Sequence, residues 1–287
     1  MTDLARAGLF LLRNGRLLER HVFAHRVQGA PAEHVVDALR AYQNDDGGFG
    51  NGLEPDVRGP SSQPIHVDFA LRVLHDVGVA PPEMVARACS YLRSLSEDGG
   101  VPAVTKSVLS YPHGEHWQPG SWPATSLNPT AMIAGLLHSL RVGTAWLTEA
   151  DTFVWRRLGQ VKVTDGPTLA AVMCFLNHAP DRRRAVQVAE EVANAIPDAD
   201  YFALEPEDAK GGYAITPLDL APWPGALVGS LFAPELLAAH LDALEAAQQA
   251  DGGWPITWEA PGGVAALEWR GRVTVDAITK LKAYGRL

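Results

Sequence analysis

The feature that most restricts how this chain can fold is a recurring ending. Three apolar-striped segments run into Asp46-Gly47-Gly48-Phe49, Asp98-Gly99-Gly100-Val101 and Asp251-Gly252-Gly253-Trp254. Copies of one turn about every fifty residues, or a multiple of it, imply a repeated unit that buries its core by standing beside its neighbours. Each Asp-Gly-Gly reads as a helix C-terminus, with a glycine in the left-handed conformation and the next apolar residue tucked back on the helix. Asp165-Gly166-Pro167 and Asp198-Ala199-Asp200-Tyr201-Phe202 occupy similar boundaries.

The segments themselves carry the spacing of one helix face: Val35, Val36, Leu39 and Tyr42; Val85, Ala88, Leu92 and Leu95; Ile133, Leu136, Leu137 and Leu140; Leu237, Leu241 and Leu244. Their starts fall at Pro31, Pro82, Asn128-Pro129 and Pro234, where proline costs no hydrogen bond, and Asp181 and Thr148 are candidate N-caps. Alternating β-branched runs, the mark of strands, are missing from the connections. The expected fold is all-α, a single domain over 1–287 built of helix pairs. Core-side helices are expected near 10–27, 63–77, 128–141, 166–178, 221–231 and 270–284, and outer helices near 32–43, 82–95, 147–160, 181–195 and 234–248.

Charge and cysteine usage exclude several partners. A formal charge of −9 leaves no footprint for a phosphate backbone, and Arg182-Arg183-Arg184 sits among acids on a helix, so nucleic acid is not an expected partner. Cys89 and Cys174 lie inside apolar helical patterns and read as buried free thiols. The first 26 residues are interrupted by Arg6, Arg13, Arg16, Glu19 and Arg20, which suits neither a signal peptide nor a membrane span. A cytoplasmic protein is the expectation.

Gln43 to Phe49 and Gln249 to Trp254 are similar to the QW repeat of squalene–hopene cyclases and other terpenoid cyclases. Asp46 to Asp56, Tyr111-Pro112-His113, Asn128-Pro129-Thr130 and Trp254-x-Ile256-x-Trp258 resemble short bacterial prenyltransferase-like proteins grouped by such repeats. The resemblance implies an (α/α)5–6 toroid of antiparallel helix pairs, and a terpenoid-cyclase-like enzyme acting on an isoprenoid or other apolar small molecule.

The acid and metal sites of that superfamily do not transfer. The cyclase tetrad Asp-x-Asp-Asp has its nearest text in Asp198-Ala199-Asp200-Tyr201, the magnesium-diphosphate pattern Asp-Asp-x-x-Asp lacks its third member after Asp45-Asp46, and neither cysteine has an aspartate two residues before it. No cofactor or metal is therefore expected.

What remains is a set of connections far longer than the usual two to eight residues, 44–62, 97–127, 196–220 and 251–269, and long loops on a rigid scaffold are where binding groups gather. Glu54 and Asp56 flank Pro55 and are the candidate catalytic carboxylates, able to work as acid and base or to brace the loop with Arg58. Arg58, Tyr111, His113, His116, Trp117, Trp122, Trp258 and Trp269 are the candidate substrate-binding residues. The tryptophans are equally readable as plugs of the core, and His113-Gly114-Glu115-His116 lacks the further ligands that zinc needs. Asp68, Arg72, His75 and Asp76 share one face of the helix at 63–77 and read as a solvated or ion-paired stripe. Two alternatives to the cyclase reading stand: a carbohydrate-active α/α-barrel lyase or hydrolase, with paired carboxylates and a glycan stacked on tryptophan, or a binding protein without turnover.

Overall fold

In a computed structural model the chain is described at residues 2–118, 123–194 and 196–287. Among these residues there are twelve α-helices and no strand, only isolated β-bridges. The all-α expectation holds.

Two kinds of helix alternate along the chain. Helices α2 (Leu17–Gln28), α4 (Pro64–Val77), α6 (Leu127–Ser139), α8 (Gly166–His178), α10 (Pro217–Leu220) and α12 (Gly263–Ala283) pack on one another: α2 on α4, α4 on α6, α6 on α8, α8 on α10, and α12 on α2. Two of them are apolar nearly all round, α6 burying Ala131 to Leu137 without a break and α8 burying Leu169, Val172, Met173, Phe175 and Leu176. Helices α1 (Leu4–Asn14), α3 (Glu33–Arg40), α5 (Pro82–Leu95), α7 (Ala145–Leu158), α9 (Arg182–Ala193) and α11 (Pro234–Ala246) are one-sided; α3, for example, buries Val35, Val36 and Leu39 alone. One apolar cluster extends from Ala7 to Leu281.

The Asp-Gly-Gly turns have a different cause from helix capping. They lie beyond the helix ends, and their first glycines, Gly47, Gly99 and Gly252, have φ of 89°, 87° and 95°. A Cβ on these glycines would stand 2.5, 2.2 and 2.2 Å from the carbonyl oxygens of Arg87, Glu149 and Arg6. Each turn therefore presses its backbone against the next one-sided helix: α5, α7 and α1 respectively. The second glycines clear large rings, since a Cβ on Gly100 or Gly253 would meet Phe153 at 2.5 Å or Phe10 at 2.7 Å. Two of the aspartates close their turns, Asp46 Oδ1 accepting from Gly48 N–H and Asp251 Oδ1 from Gly253 N–H.

A glutamine four residues ahead of the glycine fastens two of these junctions. Gln43 Nε2 donates to the carbonyls of Gly47 and Met84, both at 2.9 Å, and Gln248 Nε2 donates to those of Gly252 and Asp3, both at 2.9 Å. The equivalent of Gln43 is thus Gln248, one residue earlier than the alignment on Gln249.

Three element boundaries also differ. The helix expected at 10–27 is two, α1 and α2, because Gly15 and Arg16 are extended. The core-side helix expected at 221–231 is replaced by the single turn of α10 and a 3-10 turn at Leu227–Leu231, with Pro222, Pro224 and Gly225 between them. Helix α12 starts seven residues ahead of the expected 270, after Gly262. The N-cap of α7 is Thr144, which accepts from Leu147 N–H, not Thr148, whereas Asp181 does cap α9. Among the described residues no helix is long and apolar enough to cross a membrane.

Candidate functional site

Glu54-Pro55-Asp56 lies between the first Asp-Gly-Gly turn and α4, in a loop held from several sides. Asn51 N–H donates to Gly59 O at 3.0 Å and Gln63 N–H to Phe49 O at 2.9 Å. Arg16 donates through Nη1 to the carbonyls of Gly52 and Leu53 at 3.0 and 2.9 Å, while its Nε and Nη2 grip the buried Glu19. The segment 112–114 pairs with the loop, Arg58 N–H donating to Pro112 O at 3.1 Å and Gly114 N–H to Asp56 O at 2.8 Å. A loop with this many backbone anchors is rigid enough to carry chemistry.

His66, the third residue of α4, packs under the loop against the backbone of Phe49, Gly50 and Val57 and is fully buried. Burial forces its pKa down to about 3, with those backbone contacts opposing. The unfolded chain, titrating near 6.5, binds this proton more readily, so the stability His66 contributes is complete above that value and drains away as pH falls toward 3. Glu54 and Asp56 act in the opposite sense, so the effect is seen by difference: the gap in melting temperature between the native chain and His66→Gln should narrow as pH is lowered from 7 to 4. A gap independent of pH would rule out a buried neutral imidazole.

The two carboxyls are almost sealed from water, Glu54 at 3% and Asp56 at 2% exposure. Burial first, then the neighbouring Asp56 charge, pushes the Glu54 pKa well above the usual carboxylate range; the Trp117 indole aids its anion, but Oε2 receives no hydrogen bond of ordinary geometry. Asp56 is raised by burial to about 6, against the pull of the Trp269 and Trp258 indoles and of Arg58. Trp269 Nε1–H donates to Asp56 Oδ1 at 2.7 Å, and His116 Nε2 stands 3.8 Å from Oδ2.

Of the residues expected around this pair, Trp258, Trp269 and His116 are brought to it. Trp258 and Trp269 meet edge to face at 5.1 Å, and Phe69 and Tyr213 extend the aromatic row at 5.4 and 5.5 Å. Arg58 turns to Glu268 of α12. Trp117 is largely a core plug, buried with Val57, Ile65, Ala103, Val104 and Val108 while its indole faces Glu54. The Tyr111 ring lies against Gly59, and His113 bonds Tyr111 O and Gln118, so these two rings are engaged away from the carboxyls. Trp122 lies outside the described residues. No group of three or more His, Cys, Asp or Glu among those residues is arranged to hold a metal ion.

Of the two readings of the α4 stripe, solvated or ion-paired, the structure shows the ion-paired one. Asp68 is 2% exposed and takes both Nε and Nη2 of Arg72, at 2.8 and 3.0 Å. Asp76 is bridged at 2.9 Å by Arg272 of α12, which also holds Asp276 at 2.7 Å, and Lys280 of the same helix pairs with Asp219 of α10. Two charged stripes, Asp68-Arg72-Asp76 and Glu268-Arg272-Asp276-Lys280, therefore face one another.

Tyr213 joins this charged layer to the carboxyl pair, because Asp219, Glu54 and Arg72 all act on its hydroxyl. Its side of the site is a recess. Tyr213 is 43% exposed and the Arg72 side chain 36%, yet burial is the largest influence on both. A group crowded by protein and still reached by water lines a concavity. Burial holds the Tyr213 hydroxyl protonated, at about 12, and the pair with Asp68 outweighs burial at Arg72.

Sequence reasoning passed over Arg16, His66, Tyr213, Asp219, Arg272, Asp276 and Lys280. The α12 stripe was there to be found as charges at every fourth residue, 268, 272, 276 and 280.

No family model and no curated protein matches the chain. A protein from Actinoplanes with a known crystal structure is similar in fold, with a TM-score of 0.56 at 17% identity over 96% of this chain and 98% of that one.

Proposed function

We propose that this chain is an α/α toroid enzyme that uses Glu54 and Asp56 for acid–base cleavage of a carbohydrate. Support for the toroid comes from the order of helix contacts. The even-numbered helices follow one another from α2 to α10, α12 returns to α2 and is tied to α10 through Lys280–Asp219, and the turn after α11 seats on α1 as its counterparts seat on α5 and α7. Those are the neighbours a closed double ring requires.

The observation that carries the functional reading is the cluster beneath the recess: two buried carboxyls of raised pKa behind an indole pair and beside a layer of charged side chains. Glu54, whose pKa burial raises well above the usual carboxylate range, is the acid; Asp56, at about 6, is mostly ionised at neutral pH and is the base. Indole faces stack on sugar rings, and charged side chains hydrogen-bond hydroxyls. This wall favours a glycan over the isoprenoid of the cyclase-like reading, since a hydrocarbon against Arg72 or Asp276 would strip water from ions and return nothing.

Asp56→Asn tests the assignment. Asparagine retains an acceptor for the Trp269 indole and removes only the titrating group, so turnover in an oligosaccharide screen should fall by roughly 10² or more while melting changes little. In the native chain the rate should rise with pH through about 6, as Asp56 ionises. A variant that melts far below the native chain would make Asp56 a brace, and an oligosaccharide bound without turnover would make the protein a binding module.

A further inference from the structure

We infer that Arg72 is the recognition residue of the recess, and that the carbohydrate it selects is an acidic sugar whose carboxylate sits on the free edge of its guanidinium. The inference rests on the carbohydrate reading and narrows it.

Asp68 holds one edge of the guanidinium through Nε and Nη2, and is itself 2% exposed, so the arginine is fixed from behind by a carboxylate that water does not reach. The other edge, Nη1 with the second N–H of Nη2, meets no acceptor among the described residues, in a side chain that is 36% exposed. Two parallel N–H groups on a preoriented plane match the two oxygens of a carboxylate.

Two of the carboxylates around Arg72 are already partnered. Asp276 is taken up by Arg272 at 2.7 and 3.1 Å, and Asp219 by Lys280 and by the backbone and hydroxyl of Thr216, both at 2.8 Å. The Tyr213 phenol, whose hydroxyl feels the Arg72 charge, keeps its proton and so adds a second donor. Cys174, the nearest thiol, also remains protonated, pushed to about 12 by burial, and sets no opposing charge against an incoming anion. Arg272 adds a second guanidinium to the field at Arg72. Because Tyr213 meets Trp258 edge-on at 5.5 Å, a sugar anchored on Arg72 has its path to the indoles and to Asp56 laid out along one wall.

The test is calorimetric titration at pH 7 with two matched probes, tri-galacturonate and the neutral galactotriose, on the native chain and on Arg72→Lys. Lysine keeps a cation against Asp68 and removes the fork. The acidic trimer should bind the native chain at least about ten-fold more tightly than the neutral one, and Arg72→Lys should lose at least about ten-fold for the acidic trimer alone. Equal affinities for the two trimers, or an acidic trimer indifferent to Arg72→Lys, would overturn the inference and leave the carbohydrate reading standing. Binding of neither trimer at millimolar concentration would end the carbohydrate reading, and this inference with it. Should Arg72→Lys fail to fold, the ratio between the trimers on the native chain decides.

Discussion

Replacing Gly252 with alanine is expected to cost roughly 3–5 kcal/mol, enough to leave much of the chain unfolded at 37 °C. Two penalties combine at this position. A φ of 95° is strained for any residue with a side chain, on the order of 1–3 kcal/mol, and the new methyl would lie 2.2 Å from the Arg6 carbonyl oxygen and 2.4 Å from its carbon. The obstacle is backbone, which cannot rotate aside as a side-chain end would. Relief would require pulling the turn off α1 and with it the Gln248 bonds to Asp3. Gly29 is the control: at φ 72° with nothing within 4 Å of a Cβ, it pays conformational strain alone, and Gly29→Ala should cost about 1 kcal/mol. Denaturant unfolding of both variants measures the difference. Equal costs would mean that the turn's contact with α1 contributes nothing.

The same comparison separates what was legible in the sequence from what was not. Helix existence and the all-α class were readable because one-sided apolar spacing and proline starts are local properties, and α5 and α11 begin at Pro82 and Pro234 as read. The Asp-Gly-Gly repeat was equally visible, but its cause was not, since a glycine required by a neighbouring helix forty to two hundred and forty-six residues away looks in sequence like one required by its own chain end. Helices failed to continue where Gly15 and the Pro222-Trp223-Pro224-Gly225 run interrupt them.

The candidate site was half legible. Residues joined through the loop's own sequence, Glu54, Asp56 and Arg58, were found together because they are adjacent. Trp258 and Trp269 were picked only for being aromatic in a long loop, and it is the return of α12 across the first loop that brings Trp269 to Asp56, 213 residues earlier. The α4 stripe was legible as solvated or ion-paired but not as which of the two, for a physical reason: charges at every fourth residue have the same spacing whether they face water or an opposing stripe of opposite sign. A helix that must bury its apolar face elsewhere can still turn ions inward, provided a partner helix supplies the counter-charge.

That pairing sets the second large expectation. Arg272 is 7% exposed and holds Asp76 and Asp276 together, at 2.9 Å and 2.7 Å, with its guanidinium 5.8 Å from the Phe69 ring. Arg272→Met keeps most of the apolar stem and removes the charge, which leaves two carboxylates facing each other in a crowded recess. Breaking a buried pair in this way costs about 3–5 kcal/mol, because the remaining charges have lost water and gained no partner. For a chain of this size that corresponds to a fall in melting temperature of roughly 5–8 °C. Asp276 already has its pKa raised, by burial first and with Asp76 adding to it, so loss of the guanidinium drives it further toward the protonated form. The sign of the pH effect follows: unfolded Asp276 releases its proton near pH 4 and folded Asp276 at higher pH, so the damage is greatest at neutral pH and shrinks as pH is lowered toward 5. Adding Asp76→Asn and Asp276→Asn to Arg272→Met should restore most of the loss at pH 7, since amides have no charge to repel. A deficit that is the same at pH 5 and pH 7, and that the two asparagines do not relieve, would assign the role of Arg272 to packing on Phe69 instead of to the ion network that joins α12 to α4.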